Sequence, residues 1–327
     1  MKNGILCFGE ALIDFHAQTP ADAHDAPVFV PHPGGAPANV AVAVARLGGQ
    51  AGFVGMLGAD MFGDMLLAHL DDAGVDTRAV RRTDAANTAL AFVALDAEGE
   101  RSFSFYRPPA ADLLFRADDF DADALAATAI FHAGSCSLTE APIAETTWAG
   151  MRRARAGGAL VSFDMNLRPA LWARDEDPAP RLWSALELAH LVKLSAEEMA
   201  FLALHAGSMM SARERLWQGG TQLLLVTDGS APLKWYTRTA KGTLPVYAVR
   251  AVDSTGAGDA FVGGLLYGLA DAGITPDTLD DLIADASRRD AWLHFAAACG
   301  ALAVTRTGSF AAMPTLDAVQ SLLEKQS

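Results

Sequence analysis

Short apolar runs that suit β-strands alternate with helical patterns along most of the chain, and this alternation constrains the fold more than any other feature. The runs lie at residues 5–8, 129–132, 160–163, 191–194 and 223–227. Between them, apolar residues recur at helical spacing, as in 62–70, 143–154 and 197–204. Strands and helices in this order form right-handed βαβ units and a mostly parallel sheet with helices on both faces. The sequence therefore predicts a single α/β domain over residues 1–327, with a three-layer αβα architecture.

Two segments interrupt this pattern and predict a second, smaller sheet. Residues 12–33 are extended and rich in Pro and Ala, and residues 88–107 read as a hairpin whose turn lies at 96–100. Apolar and polar residues alternate in the second strand of the hairpin, which predicts a sheet with one covered face. We expect a β-sheet lid built from about 12–33 and 88–112, and a plain edge hairpin is the alternative.

The chain is acidic, with 25 Lys and Arg against 39 Asp and Glu, a formal net charge of −14 at pH 7. Hydrophobic residues make up 51% of the sequence, which is typical of a globular chain with a large core. This composition excludes a disordered protein and a protein that coats nucleic acid, since the first has few apolar residues and the second a basic excess. We therefore expect no nucleic-acid partner.

The sequence predicts no membrane partner and no membrane segment. The uncharged stretch at 26–45 has the length of a membrane span, but several prolines and two glycines interrupt it. The chain has three cysteines, Cys7, Cys136 and Cys299, which is an odd number, and no two of them have the Cys-x-x-Cys spacing of metal ligands. We therefore expect buried reduced thiols rather than disulfides or a zinc site. Together these features predict a cytoplasmic protein.

The segment 253–261, Asp-Ser-Thr-Gly-Ala-Gly-Asp-Ala-Phe, is the sharpest motif in the chain. Its two glycines allow a tight turn with exposed backbone N–H groups, and a helix would begin there. Such a helix N-terminus binds anions, phosphate especially, because its first N–H groups are unpaired. The turn would hold a transferred phosphoryl group while Asp259 accepts the proton of the attacking hydroxyl. A plain helix N-cap is the alternative role for Asp259.

Residues 33–41, Pro-Gly-Gly-Ala-Pro-Ala-Asn-Val-Ala, form the second motif. Gly34 and Gly35 let the backbone approach a ligand closely, and Asn39 would project a donor and an acceptor near the start of a helix. Asp14, which follows the first strand, is the carboxylate expected to act with Asn39. An amide and a carboxylate together suit a polyhydroxylated ligand, because both bind hydroxyl groups. A loop followed by an amphipathic helix is the alternative.

Neither motif is a dinucleotide fingerprint or a Gly-Lys phosphate loop. The segment 34–48, followed by 55–60 and Gly63, resembles the first signature of the ribokinase-like PfkB carbohydrate kinase family, and 253–259 resembles the second. Four further segments are similar to the fructokinase branch of that family: 105–112, 164–172, 226–229 and 298–301.

The resemblance implies an α/β domain with a β-lid that serves as the contact of a homodimer. It also implies ATP-dependent phosphorylation of D-fructose to fructose 6-phosphate, with Mg²⁺ as the counter-ion of the nucleotide. A 2-keto-3-deoxygluconate kinase and an aminoimidazole riboside kinase of the same fold are alternatives, because they would use the same machinery. A non-catalytic sugar-binding regulator is an alternative from another class, and the intact motif around Asp259 argues against it.

The resemblance implies a role for each matching position. The catalytic positions are the base Asp259 and an anion hole formed by the backbone of Gly256, Ala257 and Gly258. The sugar would contact Asp14, Gly34, Gly35, Asn39, Arg107, Asn166 and Arg168. The nucleotide would contact Lys193, Ser195, Glu198, Thr227, Gly229 and Ala297, with Glu198 helping to organise magnesium-bound water. A monovalent cation, K⁺, would be held mostly through backbone oxygens of Asp253, Thr255, Ala303, Arg306 and Gly308.

Some of these assignments compete with plainer ones. Without the resemblance, Arg107 reads as a surface cation after a strand and Arg168 as a charge near a loop proline. Ser195 stands where ribokinase has Asn, so a direct phosphate contact by that side chain is in question. An Asp at a helix N-terminus is expected to have a low pKa, which would make Asp259 a weak base suited to a transition state in which the proton leaves late.

Overall fold

Thirteen strands and eleven α-helices make up the part of the chain that the computed structural model describes, residues 4–18, 28–95 and 101–326. The strands are β1 (Gly4–Phe8), β2 (Leu12–Gln18), β3 (Val28–Gly34), β4 (Ala51–Gly58), β5 (Val80–Thr83), β6 (Leu90–Leu95), β7 (Arg101–Tyr106), β8 (Thr128–Gly134), β9 (Leu160–Asp164), β10 (Leu191–Ser195), β11 (Leu223–Thr227), β12 (Leu233–Tyr236) and β13 (Lys241–Leu244). The helices are α1 (Ala36–Arg46), α2 (Met61–Asp72), α3 (Ala122–Ala127), α4 (Ala141–Ala156), α5 (Ala179–Leu186), α6 (Ala196–Ala206), α7 (Met209–Gly219), α8 (Ala257–Asp271), α9 (Pro276–Ala284), α10 (Ala286–Ala303) and α11 (Leu316–Gln326).

The larger sheet has nine strands within the described residues, in the order β13-β12-β11-β10-β9-β8-β1-β4-β5. Neighbouring strands from β11 to β5 are parallel, and β12 and β13 add antiparallel strands at one edge. The five predicted strands all lie in this sheet, so the predicted three-layer α/β fold is confirmed. The pattern does not predict β4, because its three glycines have low β-propensity.

The smaller sheet has four strands in the order β3-β2-β6-β7, and it comes from the two segments that interrupt the main pattern. Strand β2 pairs antiparallel with β3 and parallel with β6, and β6 pairs antiparallel with β7. The hairpin turn predicted at 96–100 lies outside the described residues. Because side chains alternate along a strand, Asp14 and Phe15 lie on opposite faces of this sheet.

Each face of the larger sheet carries its own apolar core. In β1, Ile5 and Cys7 pack into the cluster that includes α1, α8 and α10, whereas Leu6 and Phe8 pack into the cluster that includes α4, α5 and α7. This division is the reason that the buried strands read as continuous apolar runs rather than as alternating ones.

Two further observations bear on the sequence predictions. The cysteines Cys7, Cys136 and Cys299 are free and buried, as predicted. Across residues 4–18, 28–95 and 101–326, no helix is both long enough and apolar enough to cross a bilayer.

The parallel strands end at one edge of the larger sheet, and this edge carries two predicted site residues together with two acidic residues that were not predicted. Glu10 follows β1, Asp164 ends β9, Ser195 ends β10 and Thr227 ends β11. The carboxyl ends of parallel strands are where open α/β sheets bind ligands. Strand β2 begins at Leu12, shortly after β1, so the smaller sheet adjoins the same edge.

Candidate active site

Asp259 lies in the first turn of α8, next to a side chain from the other glycine motif. Asn39 Nδ2 donates a 2.7 Å hydrogen bond to Asp259 Oδ2, and the exposed fractions of the two residues are 4% and 8%. Burial raises the pKa of Asp259 to about 6, although the hydrogen bond from Asn39 lowers it. The low pKa expected from the helix position is therefore wrong, because desolvation of the carboxylate outweighs the field of the helix end.

The turn before α8 has the conformation that the glycine motif predicts. Gly256 is the N-cap of α8 and has a φ of 75°, a left-handed conformation that favours glycine. Asp259 is inside the helix, so the plain N-cap alternative is wrong. The N–H groups of Gly258 and Asp259 lie in the first helical turn, where no earlier carbonyl of the helix can accept them. This end of α8 therefore attracts anions.

A buried ion pair lies beside the glycine turn. Lys193 Nζ donates to the two carboxylate oxygens of Asp164 at 3.0 and 3.1 Å, across the neighbouring strands β10 and β9. A Cβ placed on Gly258 would lie 3.0 Å from Lys193 Nζ, so the ammonium group borders the turn. Burial lowers the pKa of Lys193, but the carboxylates of Asp164 and Glu198 raise it, and the net effect is a raised pKa. Lys193 therefore places a fixed positive charge beside the anion-binding turn.

Asp164 is a residue of this site that sequence reasoning did not select. Its signal was its position as the last residue of a buried strand, at the start of the segment 164–172. A carboxylate at the end of a buried strand needs a partner, and the register that brings Lys193 opposite Asp164 supplies it.

Ser195 and Glu198 form the capping box of α6. Ser195 Oγ accepts the N–H of Glu198 at 3.1 Å, and Glu198 Oε2 accepts the N–H of Ser195 at 2.7 Å. Glu198 Oε1 accepts the N–H of Leu167 at 2.6 Å, and burial raises the pKa of its carboxyl group. The Ser195 hydroxyl thus acts as a helix cap, and Glu198 anchors the loop that carries Asn166 and Arg168.

A cavity of about 290 Å³ lies between α8, the start of α1 and the smaller sheet. Its lining includes residues from both predicted groups, the sugar side and the phosphoryl side: Asp14, Gly35, Asn39, Arg107, Asn166, Arg168, Gly256, Gly258 and Asp259. The predicted cation residue Thr255 also lies in this lining. Gly34 is not in the lining but supports it, since a Cβ placed there would overlap Asp14 Oδ2. Glu10 also lines the cavity, although sequence reasoning did not select it.

Two features of this cavity are unusual, the pKa of one carboxyl group and the backbone conformation of one residue. Burial raises the pKa of Asp14 to about 7, the charge of Asp259 raises it further, and Arg168 lowers it. Asn166 has a φ of 39°, a left-handed conformation that is uncommon for a residue with a side chain. The cavity is therefore a polar, partly desolvated space in which carboxyl groups titrate near neutrality.

Arg107 follows β7 and is 2% exposed, so the alternative of a surface cation is wrong. Its Nε and Nη2 donate to Asp112 Oδ2 at 2.9 and 2.5 Å, and its Nη1 donates to Thr139 Oγ1 at 3.1 Å. Burial lowers the pKa of Arg107, but Asp112 raises it and the guanidinium stays charged. Arg107 is therefore a fixed part of the cavity wall rather than a mobile cover.

A second cavity, of about 490 Å³, lies on the other side of the glycine turn. Its lining contains the remaining predicted nucleotide positions, Thr227, Gly229 and Ala297, together with apolar side chains such as Val246, Phe261 and Val304. Such a lining suits a flat heterocyclic base. The two cavities share Ser254 and Gly258 in their linings, so they meet at the turn.

The predicted cation residues come from two segments that the fold brings together. Asp253 Oδ1 accepts the N–H of Thr255 at 2.8 Å, and its Oδ2 accepts the N–H of Gly308 at 3.1 Å. The carbonyl of Ala303 accepts the N–H of Arg306 at 3.2 Å. Within the part of the chain that is described, no cluster of three or more His, Cys, Asp or Glu side chains could hold a metal ion. A cation here would depend on backbone carbonyl oxygens, which are ligands that suit K⁺.

Comparison with known proteins gives consistent matches over the whole chain. Residues 2–316 match the model of the pfkB family carbohydrate kinases. Fructokinase-1 of Zea mays is 44% identical over 323 residues, which cover 98% of each sequence. A fructokinase structure with bound ATP from Xylella fastidiosa is 56% identical, has a TM-score of 0.96, and covers 100% of this chain and 99% of its own. A double mutant of Vibrio cholerae O395 fructokinase with fructose, ADP and potassium ion bound is 32% identical, has a TM-score of 0.85 and covers 98% of both chains.

Proposed function

Since the chain belongs to the pfkB family of carbohydrate kinases, we propose that it transfers the terminal phosphoryl group of ATP to D-fructose and forms fructose 6-phosphate. The similarity to two fructokinases, at 44% and 56% identity, supports fructose as the acceptor. One similar structure has ATP bound, which supports ATP as the phosphoryl donor. Another has fructose and ADP bound, which supports fructose as the acceptor.

The observation that carries this function is the meeting of two cavities at one glycine turn. The polar cavity contains Asp14, Asn39 and Asp259, which suits a polyhydroxylated acceptor, and the apolar cavity suits the base of a nucleotide. A phosphoryl group that passes from one cavity to the other crosses at Gly258, where the N-terminus of α8 and Lys193 offer positive charge.

The chemistry follows from the groups at this turn. Asp259, with a pKa of about 6, is mostly ionised at neutral pH and accepts the proton of the C6 hydroxyl. Asn39 holds the Asp259 carboxylate in place through its 2.7 Å hydrogen bond. As the bond to the acceptor oxygen forms and the bond to the oxygen of ADP breaks, negative charge spreads over the phosphoryl oxygens, where the backbone N–H groups of Gly256 and Gly258 and the ammonium group of Lys193 stabilise it. The N–H of Ala257, which the resemblance also assigns to the anion hole, donates to the carbonyl of Ser254 at 3.3 Å.

The acceptor is positioned by the polar wall of its cavity. In this proposal Asp14 and Asn39 bind sugar hydroxyls, and Asn166 lies between the sugar and the phosphoryl group. Arg168, an exposed residue of the cavity lining, approaches the sugar or the phosphate. The smaller sheet acts as the lid, because its face with Asp14 and Phe105 lines the cavity. Exclusion of water by this lid prevents hydrolysis of ATP in place of transfer.

The residues present fit Mg²⁺ and K⁺ in different ways. Mg²⁺ is usually bound through one or two carboxylates, several waters and the phosphates of the nucleotide, and Glu198 offers a buried carboxyl group for such a water shell. When bound with ATP, Mg²⁺ neutralises charge on the phosphates. K⁺ would lie against the carbonyl oxygens around Asp253 and Gly308, beside the glycine turn. The similar Vibrio structure has a potassium ion bound, which supports K⁺ as a ligand but does not locate it.

The proposed assembly is a homodimer through the lid. The face of the smaller sheet opposite the cavity carries an aromatic patch, which we define as Phe15, Phe29, Phe92 and Tyr106, whose rings contact one another at 5.0–5.4 Å. Tyr106 is 67% exposed and Phe29 is 38% exposed. An exposed aromatic patch of this kind marks an interaction surface. The proposed location is the cytoplasm, which the three reduced thiols support.

A coupled assay of ADP release tests the function. The purified protein is given ATP with D-fructose, 2-keto-3-deoxygluconate, aminoimidazole riboside, ribose or glucose. We expect the highest kcat/KM with fructose. If one of the other acceptors gives a higher kcat/KM, that acceptor replaces fructose as the proposed substrate. Tight fructose binding without ADP release would favour a sugar-binding regulator.

A further inference from the structure

The carboxylate of Asp60 joins the turn between β4 and α2 to the segment that leads into strand β6 of the smaller sheet. As the N-cap of α2, Asp60 accepts the N–H groups of Phe62 and Gly63 through Oδ1, at 3.1 and 2.8 Å. Its Oδ2 accepts the N–H of Thr88 at 2.7 Å, and its Oδ1 also accepts the Thr88 hydroxyl at 2.9 Å. One side chain therefore caps a helix of the larger sheet's core and holds the chain just before the smaller sheet.

The glycines of the motif 55–63 provide the space for this contact. A Cβ placed on Gly58 would overlap Asp60 Oδ2 and would lie 2.6 Å from the backbone nitrogen of Thr88. A Cβ placed on Gly63 would overlap the carbonyl oxygen of Gly58 and would lie 3.1 Å from Thr88 Oγ1. The N–H of Gly58 also donates to Thr88 Oγ1 at 3.1 Å. The motif is thus built around the attachment of Thr88, and the proposed reaction gives it no other role.

The attachment is charged on one side and buried on the other. Thr88 is 3% exposed, so water has little access to its hydrogen bonds. Burial raises the pKa of Asp60, but the hydrogen bonds from Thr88, Gly63 and Phe62 lower it, and the net effect is a lowered pKa. An ionised carboxylate accepts at both oxygens, and its hydrogen bonds are stronger than those between neutral groups.

The chain that follows Thr88 leads directly to the acceptor cavity. The carbonyl of Ala89 accepts the N–H of Ile13 at 3.2 Å. Strand β6 then pairs with β2 in a register that places Ala91 opposite Asp14. Because Asp14 lines the acceptor cavity, a displacement of Thr88 would pass through β6 to β2 and would move this carboxyl group.

The nucleotide cavity does not share this dependence. Its lining comes from the ranges 227–261 and 297–304, and both lie outside the four strands of the smaller sheet. A change in the attachment of the smaller sheet is therefore expected to affect the acceptor and to spare the nucleotide.

We propose that Asp60 is a positioning residue for the acceptor: through Thr88 it fixes the smaller sheet against the larger one and so holds Asp14 where it binds a sugar hydroxyl. The inference rests on the proposed function, because it takes Asp14 as a residue that binds the acceptor. Loss of the attachment weakens sugar binding selectively, since a misplaced binding group loses much of its effect.

The test compares Asp60→Ser with the matched control Asp285→Ser. Ser caps helices about as well as Asp, so position 60 keeps an acceptor for the N–H of Gly63 but has no second oxygen for Thr88. Asp285 is exposed and caps α10 by accepting the N–H of Arg288 at 3.1 Å.

ADP release gives the KM for fructose and the KM for ATP in each protein. We expect Asp60→Ser to raise the KM for fructose at least about fivefold and to keep the KM for ATP within about twofold, whereas Asp285→Ser changes neither. An unchanged KM for fructose in Asp60→Ser, or an equal rise in both KM values, would overturn the proposal.

A second pair of variants tests the attachment from its other side and decides the matter if Asp60→Ser does not fold. Thr88→Val keeps the shape of the side chain and removes the hydroxyl, whereas Thr88→Ser keeps the hydroxyl. We expect Thr88→Val to raise the KM for fructose and Thr88→Ser to stay close to the wild type. Equal fructose KM values in these two variants would contradict the role of the network.

Amide hydrogen exchange keeps this inference separate from the proposed function, because it needs no substrate. Exchange in β6 should be faster in Asp60→Ser than in Asp285→Ser, and equal exchange would refute the attachment whatever the activity. A wild-type protein that releases no ADP with fructose would refute the proposed function, and the exchange measurement would still decide whether Asp60 holds the smaller sheet.

Discussion

The side-chain amide of Asn39 donates a 2.7 Å hydrogen bond to the carboxylate of Asp259, across 220 residues of sequence. This bond joins the start of α1 to the first turn of α8 and thereby links the acceptor motif to the phosphoryl motif. The carboxylate is held by a neutral donor, so it keeps its negative charge while its orientation is restricted. In the proposed reaction, the pair would supply a base whose position is set before the substrates bind.

We expect Asp259→Asn to leave fructose and ATP binding within a few-fold and to lower kcat by about 100-fold or more, since the general base is lost. Steady-state kinetics and equilibrium binding measure the two effects separately. Asp277→Asn is the matched control, because Asp277 lies in the first turn of another helix, α9, and is exposed. Near-normal turnover in Asp259→Asn would show that Asp259 is not the base.

The Asn39 hydrogen bond should be visible in the pH profile. We expect wild-type kcat to fall as the pH drops through about 6, because in the proposed mechanism Asp259 must be ionised to accept a proton. In Asn39→Ala the hydrogen bond that lowers the Asp259 pKa is absent, so the acid limb of the profile moves to higher pH. The exposed residue Asn87 provides the control Asn87→Ala, which should leave the limb in place. An acid limb that does not move in Asn39→Ala would show that another group controls it.

The ion pair of Lys193 and Asp164 is expected to serve both stability and catalysis. Lys193→Met leaves the buried Asp164 carboxylate unpaired and should lower the free energy of unfolding by about 3 kcal/mol. The double variant Lys193→Met with Asp164→Asn removes both charges and should regain most of that stability. We expect kcat to stay low in both variants, because the positive charge beside Gly258 is missing. Recovery of kcat together with stability in the double variant would assign the pair a structural role alone.

The left-handed turn at Gly256 allows a test with a control on the same helix. Gly256→Ala and Gly273→Ala both place Ala at positive φ, 75° and 63° respectively, at opposite ends of α8. Each should cost about 1–2 kcal/mol of stability. Only Gly256→Ala should also reduce kcat, since strain at the φ of position 256 shifts the N–H groups at the start of α8, whereas Gly273 lies beyond the other end of the helix. Equal kcat values for the two variants would argue against a catalytic role for the turn.

The aromatic patch should control the oligomeric state. Tyr106→Asp introduces a charge on its most exposed ring and should convert a dimer to a monomer in analytical ultracentrifugation. Leu204→Asp changes a residue of α6 that is 80% exposed and should leave the dimer intact. A wild-type protein that sediments as a monomer, or a Tyr106→Asp variant that stays dimeric, would contradict assembly through this face.

The backbone layout was predictable because its causes are local. The apolar runs and helical spacing are properties of consecutive residues, and they located five strands of the larger sheet and the helices α2, α4 and α6. Glycine turns are equally local, since only glycine readily adopts the φ of 75° found at Gly256. Strand β4 escaped prediction because its three glycines carry a weak local signal, and its place is set by pairing with β1.

The site residues with local signals were predictable, and the state of their side chains was not. Asp259 and Asn39 lie in recognisable motifs, but the raised pKa of Asp259 arises from burial that many distant segments create together. Arg107 read as a surface cation because its partners Asp112 and Thr139 come together only in the folded chain. Glu10 and Asp164 were missed for the same reason, since an isolated carboxyl group in a sequence does not reveal what surrounds it.

The sequence by itself determined the parallel three-layer architecture and the two motifs, because hydrophobic period and glycine conformation act over a few residues. Only the tertiary structure decided that Asn39 contacts Asp259, that Lys193 borders Gly258 and that the acceptor cavity holds carboxyl groups with pKa values near neutrality. These relationships depend on desolvation and on contacts between segments far apart in the chain, and both arise only when the segments pack together.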